Sequence, residues 1–498
     1  MQVIAGNLVW SASDLTAASA CEYGVLRTLD VKLGRALISA AEHDPLMAQI
    51  AALGDKHELD ILAELKSGAG SHARRVVELS HLHGSHTVEA LADLNGTTMD
   101  AFASQPDVVF QAGFFDGEFF GYADFIERTD QGWLVCDAKL ARQARPKALL
   151  QLAAYADQLG RAGLAVAPTA ALLLGNGKRE EFRLVDVLPV FNERRARLRA
   201  ILTEHHNEPA ALGWGDERYI ACGKCPDCAE AVDRTQDLLL VAGLRMDQRR
   251  KFREQGVRTV ADLGQATQRP TGMAQGSFDK LTAQARLQGK QLDAGQDADG
   301  YPNKVFSELT DASAVALATL PDPSPGDIFF DFEGDPMYNE GNLELWGLEY
   351  LWGIMEAPLD GAEAGAFRPW WADDSDEERN AFKAFMEYVA KRRQAHPDMH
   401  IYHYAPYEKT ALLRLARRFH LYEKELDNLL RHGVLVDLYA TVRGAIRISQ
   451  PSYSIKKLEP LYMKRRVDAD VAAGDASIAA YHEYRAFKAD EEYEGLPA

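Results

Sequence analysis

The chain has 498 residues, which is too long for one hydrophobic core, so two or three domains are expected. Its hydrophobic content of 47% and charged content of 26% are typical of a globular protein. The net charge of −19 excludes a protein coated in positive charge for non-specific nucleic-acid binding, but it does not exclude a local basic channel. No apolar run approaches the roughly 18 residues needed to span a membrane. The N-terminus also lacks the basic and apolar regions of a signal peptide, so a cytoplasmic location is expected.

The first domain, expected over residues 1–230, mixes helical and strand patterns. Helices are predicted over about 45–66 and from Pro146 to about Gly160, where a proline begins and a glycine ends the pattern. Residues 108–140 between them predict an antiparallel meander with a hairpin turn at Asp-Gly. Residues 170–187 predict strand and residues 190–206 predict helix, and a cluster of cysteines follows.

The remainder of the chain predicts a helical module, a linker and a second α/β domain. Residues 231–292 look all-helical and resemble a helix-hairpin-helix unit, whose turn amides contact a nucleic-acid phosphate; a plain helical linker is the alternative. Residues 293–326 are rich in Asp, Gly and Pro, which is typical of a linker. An apolar strand then opens the second α/β domain over 327–498.

Two carboxylates and a lysine in the predicted meander suggest a centre that cleaves phosphodiesters. Asp124 lies in one strand, and Asp137 and Lys139 end the next strand on one face. A divalent cation held by carboxylates screens the anionic phosphate and supplies hydroxide near neutral pH, while a lysine assists the attacking water or the developing charge. These three residues have the side chains that this chemistry requires.

Residues on two predicted helices extend this set. His57 in "GDKHE" is a candidate metal ligand, whereas Glu58 beside it is expected to be a solvated helix residue. Gln151 and Tyr155 are one helical turn apart, so they share a face on which they can support the lysine or contact DNA. The segment 139–147 carries four basic residues and no acidic one, which predicts a local phosphate contact.

In this order, Gly-x-x-His-Glu, a strand Asp, Asp-x-Lys and Gln-x-x-x-Tyr resemble the RecB-type branch of the PD-(D/E)XK nucleases. The resemblance implies a Mg²⁺ or Mn²⁺ site, a catalytic lysine and a supporting helix, formed in turn by His57, Asp124 and Asp137, by Lys139, and by Gln151 and Tyr155. It also implies DNA with a single-stranded end as substrate. The alternative for the whole set is a group of surface charges at a hairpin tip.

Three cysteines within seven residues, Cys222, Cys225 and Cys228, favour a metal site over a disulfide framework. A fourth ligand is needed, and Cys21 is the candidate. RecB-type nucleases of the AddB and CRISPR-associated kind hold a 4Fe-4S cluster with one N-terminal cysteine and a C-terminal trio, so the resemblance implies that cluster here. The last interval in this trio is shorter than in those relatives, and zinc in a four-cysteine site is the alternative. Cys136 is expected to be only a small buried side chain.

The strand "DIFFDFEGDP" carries Asp331 and Glu333 on one face, as a two-metal exonuclease site requires. Together with Glu408 near a helix start and Asp437 on a later strand, it resembles the RNase H-like exonuclease domain of DEDD type that follows a RecB-type nuclease in a family of large bacterial proteins. Such proteins usually continue into a superfamily 1 helicase. Glu408 stands where that family carries Asp, and the family's final Asp is not found after residues 477–487. The second site is therefore expected to be degenerate, or the chain to be a piece of a longer protein.

The expected fold class is a multidomain α/β protein with a PD-(D/E)XK domain (a mixed sheet flanked by helices), a small all-helical region and an RNase H-like domain. The expected function is a Mg²⁺- or Mn²⁺-dependent deoxyribonuclease, an exonuclease by resemblance, in DNA repair or processing. Its expected partners are DNA and a helicase domain or subunit, without a membrane. The alternatives are a catalytically weak nucleic-acid-binding scaffold for a helicase and an RNA-processing nuclease.

Overall fold

The computed structural model describes residues 1–37, 45–68, 73–82, 84, 87–297, 301–341, 345–357, 365–463 and 474–489. The chain divides into two compact units, Met1–Thr235 and Gln236–Ala498. Most of the predicted helical module and the whole predicted second α/β domain therefore fall within one unit. Across the described ranges, every helix is too short or too polar to traverse a bilayer.

The first unit is a mixed sheet flanked by helices. Its strands are β1 (Gln2–Ile4), β2 (Asn7–Val9), β3 (Val76–Glu78), β4 (Val108–Phe115), β5 (Phe120–Thr129), β6 (Gly132–Lys139), β7 (Thr169–Leu174) and β8 (Arg179–Arg183). Its helices are α1 (Ala12–Ala20), α2 (Glu22–Lys32), α3 (Pro45–Ser67), α4 (Val88–Ala103), α5 (Pro146–Arg161), α6 (Leu184–His206) and α7 (Pro226–Arg234). The predicted helices over 45–66 and from Pro146 are confirmed as α3 and α5.

The strand order of the main sheet is β3-β4-β5-β6-β7-β8. Strands β4, β5 and β6 form the predicted antiparallel meander, and β7 runs parallel to β6. In the β4–β5 turn, the Asp116 carboxylate accepts hydrogen bonds from the amides of Glu118 and Phe119, and Gly117 has φ +90°. A left-handed residue in a tight turn favours glycine, which is why the Asp-Gly pair marks this hairpin in the sequence.

Both faces of this sheet are buried. Val135 of β6 packs in the larger core, which includes side chains of α1, α2, α5 and α6. Leu134 and Cys136 point the other way, into a smaller core that includes Leu62 of α3. The expectation that Cys136 is only a buried side chain is confirmed by its 0% exposure. Because helices cover both faces, carboxylates on β5 and β6 are withdrawn from water.

The second unit combines a helical module with an α/β domain. Its strands are β9 (Ser307–Leu309), β10 (Ile328–Asp335), β11 (Leu348–Glu356), β12 (Phe367–Trp371), β13 (Ile401–His403), β14 (Leu435–Asp437) and β15 (Ile446–Ile448). Its helices are α8 (Met246–Arg253), α9 (Val260–Gln265), α10 (Gln275–Ala294), α11 (Ser313–Leu317), α12 (Ser375–Ala395), α13 (Tyr407–Phe419), α14 (Glu423–Arg431), α15 (Leu438–Ala445), α16 (Ile455–Leu458) and α17 (Gly474–Ala489).

The main sheet of this unit has the strand order β12-β11-β10-β13-β14. Strands β10, β11 and β12 are antiparallel, whereas β10, β13 and β14 are parallel. Aromatic side chains fill its core, in which the rings of Phe330 and Phe385 stack with centroids 4.4 Å apart. The carboxyl ends of the parallel strands meet at one edge, where the predicted acidic residues lie, and this arrangement fits an RNase H-like fold.

The helical module has a small core of its own, formed by side chains that include Leu238, Phe252 and Phe278. Gly243 and Gly256, which punctuate the pattern in the sequence, have φ values of +82° and +81° at the turns. Glycine adopts a positive φ without a steric penalty, which explains why glycine occupies both turns.

Candidate active site and metal centre

Two carboxylates face each other in the first unit. The β5–β6 register pairs Phe125 with Cys136, and continuing it by one residue places Asp124 opposite Asp137. One oxygen of Asp124 accepts a hydrogen bond of 2.9 Å from the amide of Ala138. Like charges directly opposite each other on neighbouring strands are destabilising, so this pair requires a shared proton or a cation between its members.

The pKa of Asp137 bears on whether the pair shares a proton or binds a cation. Burial and the charge of Asp124 raise the pKa of Asp137 to about 8, and burial also raises the pKa of Asp124. Both Asp137 oxygens are buried, and the Lys139 ammonium, 2.7 Å from Oδ2, is the cation beside them. Two facing carboxylates with few donors suit a hard divalent cation, so Asp124 and Asp137 fit Mg²⁺ or Mn²⁺.

Lys139 lies at a basic cleft of about 180 Å³ in the same unit. The described lining includes Arg145 and Lys147, together with the amide side chains of Gln143 and Gln151, and it contains no carboxylate. This is the "KLARQARPK" segment folded back beside the start of α5. A phosphate next to the Lys139 ammonium would therefore meet further cations and amide donors.

Tyr155 lies beneath the carboxylate pair on α5. Its hydroxyl bonds to the Gln151 side chain, and burial and the charges of Asp124 and Asp137 raise its pKa, so the phenol stays protonated. A Cβ atom at Gly121 would lie 2.9 Å from this hydroxyl, so the glycine permits the tyrosine to approach β5. Tyr155 and Gln151 therefore lie close to the carboxylate pair, and their supporting role stays a prediction.

Glu58 takes a different place from the one expected. It accepts a hydrogen bond from the side chain of Gln111, and burial and the charge of Asp124 raise its pKa to about 7. Gln111 has φ +55°, and strand pairing is present on both sides of Gln111 and Asp124 but not between them. The expectation that Glu58 is merely solvated is wrong, because the interruption of the β4–β5 ladder leaves Gln111 available to bind it.

His57 is not drawn into a compact ligand set. Its Nε2 lies 3.2 Å from the carbonyl oxygen of Leu173 on β7. The ligand atoms of His57, Asp124 and Asp137 do not all lie within 4.8 Å of one another, a condition that only the cysteine group meets among the described residues. The metal-binding role of His57 therefore stays a prediction.

The four predicted cysteines come together in the first unit. The Sγ atom of Cys21 lies 3.5 Å from that of Cys228 and 3.7 Å from that of Cys225, and Cys222 and Cys228 are 3.9 Å apart. These separations are too long for disulfide bonds. Four sulfurs bound at about 2.3 Å to one tetrahedral ion would be about 3.8 Å apart, so the group fits a metal.

Backbone amides hold these sulfurs in place. The amides of Gly24 and Cys222 donate to the Cys21 sulfur at 3.3 and 3.4 Å. The amide of Cys225 donates to the Cys222 sulfur at 3.2 Å. A hydrogen bond with Cys228 and these amides lower the pKa of Cys21 to about 5, against the effect of burial. Hydrogen bonds to sulfur favour the thiolate form that a metal requires, and the site joins the start of α2 to the start of α7.

In the second unit, Asp331 of β10 and Glu408 of α13 are neighbours. Burial and the charge of Glu408 raise the pKa of Asp331 to about 6. Glu408 is itself buried, and its Oε2 lies 3.3 Å from Nδ1 of His403 at the end of β13. His403 was not singled out in the sequence, because the pattern of this short strand gives no signal of its partner.

The other two predicted carboxylates of this unit have additional structural roles. One oxygen of Asp437 accepts hydrogen bonds of 2.9 Å from the amides of Ala405 and Tyr439, and thereby caps α15. Glu333 hydrogen-bonds to Ser477 of α17, and burial raises its pKa. Both residues therefore help to position loops and helices around Asp331.

A further buried carboxylate, Asp335, ends the same strand. It is 1% exposed, and its Oδ2 lies 3.0 Å from Nε2 of His482 on α17. The alternation of acidic residues in "DFEGD" is the signal that would have predicted it. The acidic residues 490–492, weighed as solvated charges in the sequence, lie outside the described ranges.

One comparison with known proteins gives a match. A family model of the RNase H superfamily matches residues 328–496, roughly a third of the chain. No curated protein and no solved structure gives a significant match. The family match suggests a nucleic-acid-processing nuclease domain of a generally metal-dependent class in the second unit.

Proposed function

We propose that the chain is a metal-dependent nuclease that hydrolyses phosphodiester bonds in DNA at the Asp124–Asp137–Lys139 centre of its first unit. The observation that carries the proposal is the pair of facing carboxylates, half-buried Asp124 and buried Asp137, with the Lys139 ammonium 2.7 Å from Asp137. The motif order that resembles RecB-type PD-(D/E)XK nucleases supports the same assignment. The RNase H superfamily match in the second unit supports only the coarser point that the chain processes nucleic acid.

The residues of the centre have different roles in hydrolysis. Asp124 and Asp137 would hold Mg²⁺ or Mn²⁺, which supplies charge neutralisation and a more acidic water when bound. Water adds to phosphorus, the bond to the leaving oxygen breaks, and that oxygen takes a proton to give a hydroxyl and a phosphate monoester. Lys139 holds its positive charge where the phosphoryl oxygens become more negative.

Glu58 is suited to accept the proton that the attacking water loses. Its carboxyl group has a pKa near the operating pH and lies within range of the Asp124 charge. The basic cleft lined by Arg145 and Lys147 would bind the neighbouring phosphates of the strand.

We propose that the four cysteines hold a structural metal that connects the start of α2 to the start of α7. The resemblance implies a 4Fe-4S cluster, whereas the sulfur separations of 3.5–3.9 Å support a single tetrahedral ion such as zinc. A cubane interposes four irons between the thiolates and so requires a wider arrangement. Protein purified without oxygen distinguishes them: a brown colour with stoichiometric iron indicates the cluster, and colourless protein with stoichiometric zinc indicates the single ion.

The test of the nuclease assignment is degradation of labelled single-stranded DNA with Mg²⁺ or Mn²⁺. Wild type should degrade the DNA, whereas the Lys139→Ala variant should be slower by about 100-fold. Lys32→Ala, which removes an exposed lysine at the end of α2, is the matched control and should behave as wild type. Equal rates for wild type and Lys139→Ala would reject the assignment.

A second candidate function is that of a nucleic-acid-binding scaffold, favoured by the second unit. There, the Asp437 oxygen that caps α15 accepts hydrogen bonds from two backbone amides. This leaves the carboxylate site of the second unit less free to bind cations. A chain that binds single-stranded DNA but cleaves neither DNA nor RNA with either metal would support this function over the nuclease.

A further inference from the structure

The second unit contains a large cleft that the two carboxylate centres do not explain. Its volume is about 670 Å³, and it lies where the helical module meets α15 and β15. The charged side chains that line it are four cations and one carboxylate: Arg245, Lys280, Arg443, Arg447 and Asp311. In a chain of net charge −19, such a concentration of cations in a concave surface points to an anionic ligand.

Two of these cations are available to a ligand. Arg245 is close to Asp247, and Arg447 pairs with Glu308 of β9. Lys280 and Arg443 are exposed, and neither has an acidic partner within the described part of the chain. They belong to the two walls of the cleft, since Lys280 lies on α10 of the helical module and Arg443 on α15.

Buried hydrogen bonds fix these walls against each other. The side-chain amide of Gln284 on α10 donates to the carbonyl oxygen of Ile448 on β15 at 2.8 Å and to Gln288 at 3.0 Å. Gln288 in turn accepts from the amide of Ala242 at 3.0 Å, and Gln291 accepts from the Ser449 hydroxyl at 2.7 Å. Satisfied buried polar networks rigidify the elements they join, so the cleft is a built feature of the unit.

The cleft leads towards the acidic edge of the RNase H-like sheet. Helix α15, about 12 Å long, begins at its N-cap Asp437. Tyr439 and Arg443 are one turn apart on this helix and both line the cleft, as does Tyr453. The ring of Tyr439 contacts that of Tyr404 edge-on at 5.5 Å. Aromatic rings interleaved with cations are typical of surfaces that bind single-stranded nucleic acid, because phosphates meet the cations and bases stack on the rings.

We infer that this cleft binds the backbone of a single-stranded nucleic acid, with Lys280 and Arg443 contacting phosphates from the two walls, and directs the strand along α15 towards Asp437. The inference rests on the proposed function only in that the chain acts on nucleic acid. It adds a binding site in the second unit that the first-unit centre does not require.

The test uses the full chain and fluorescence anisotropy of a labelled oligo-dT strand in EDTA, which prevents cleavage. The Lys280→Ala/Arg443→Ala variant should bind about tenfold more weakly than wild type near 0.1 M salt. Its slope of log affinity against log salt should be shallower by about 1.4, since each single-strand phosphate contact contributes about 0.7. The matched control, Lys391→Ala/Arg417→Ala, removes two exposed cations outside the cleft and should match wild type.

Further variants and probes sharpen the result. Arg443→Lys keeps the charge, so it should retain the wild-type salt slope, which separates lost phosphate contacts from local unfolding. Oligo-rU tests whether the site distinguishes RNA from DNA. Equal binding by the two double variants would overturn the inference, and so would competition by polyglutamate as effective as that by unlabelled oligo-dT.

The outcomes also separate this inference from the proposed function. Normal cleavage by wild type together with unchanged binding by the cleft variant would overturn the cleft alone. A wild type that never cleaves but loses affinity through the cleft variant would overturn the nuclease assignment and support the cleft.

Discussion

Replacing Asp137 by Asn should stabilise the metal-free first unit near pH 8, although it removes a residue of the proposed centre. Asp137 is 1% exposed and faces Asp124, so its charged form is disfavoured by burial and by like charge. Asparagine keeps the shape of the side chain and removes the charge. The substitution therefore tests whether the carboxylate pair is held in a strained state that a cation would relieve.

The magnitude follows from the pKa. The pKa of Asp137 is about 8 in the folded chain, whereas an unperturbed Asp has a pKa of about 3.9. Between these values the folded state binds a proton that the unfolded state does not, so stability falls as pH rises through this window. One pKa unit corresponds to ~1.4 kcal/mol. Counting only half of the shift, we expect ionisation of Asp137 to lower the free energy of unfolding of wild type by about 3 kcal/mol at pH 8. Below pH 4 the carboxyl is protonated in both states, and the wild-type and variant stabilities should converge.

Thermal unfolding of the first unit in EDTA, measured from pH 4 to pH 8, is the assay. The wild-type midpoint should fall with rising pH, and the Asp137→Asn midpoint should fall less, with a gain of roughly 5–10 °C at pH 8. Mg²⁺ should raise the wild-type midpoint at pH 8 but leave the variant almost unchanged. Asp130→Asn, in the exposed β5–β6 turn, is the control and should follow wild type. A variant that is less stable than wild type in EDTA at pH 8 would refute the reasoning.

Three further outcomes are expected. Cys225→Ser should lose bound metal, as measured by elemental analysis, and lower the unfolding midpoint of the first unit, because three thiols hold an ion poorly; full metal content in the variant would contradict this. Glu58→Gln should flatten the pH–rate profile near pH 7, where wild-type cleavage should rise with pH as the Glu58 carboxyl, of pKa about 7, loses its proton; an unchanged profile would exclude Glu58 as the base. Asp331→Asn should leave cleavage of single-stranded DNA within about twofold of wild type, because the proposed centre lies in the first unit; a loss comparable to that of Lys139→Ala would assign activity to the second unit.

Local signals in the sequence predict much of the first unit. Pro146 begins α5, Asp116-Gly117 forms the β4–β5 turn, and the strand alternation places Asp137 and Lys139 on one face. These signals depend on residues a few positions apart, whose conformational preferences are local.

Long-range packing decides what the sequence pattern misses. The pattern after Lys178 predicts strand up to Val187, but α6 begins at Leu184 and includes Pro189. The amide of Leu184 donates to the carbonyl oxygen of Pro168, a contact between distant residues that no local pattern contains. The same holds for Glu58, whose role depends on a left-handed residue in β4, opposite β5.

The site residues divide in the same way. The pairing of Asp124 with Asp137 follows from two adjacent strands and a short turn, so strand periodicity can predict it. The contact of His57 with the Leu173 carbonyl and that of Asp331 with Glu408 depend on how helices dock onto sheets. Such docking is set by side-chain packing between distant segments and is not visible in a single sequence.

The most direct test of the central claim is the binding of Mn²⁺ to the full chain, followed by electron paramagnetic resonance or calorimetry, together with cleavage of single-stranded DNA in the same samples. If Asp124 and Asp137 hold the cation beside Lys139, Asp124→Asn and Asp137→Asn should each lose a Mn²⁺ site and cleavage together, whereas Lys139→Ala should keep the ion and lose cleavage. Wild-type Mn²⁺ binding and cleavage in both carboxylate variants would contradict the account.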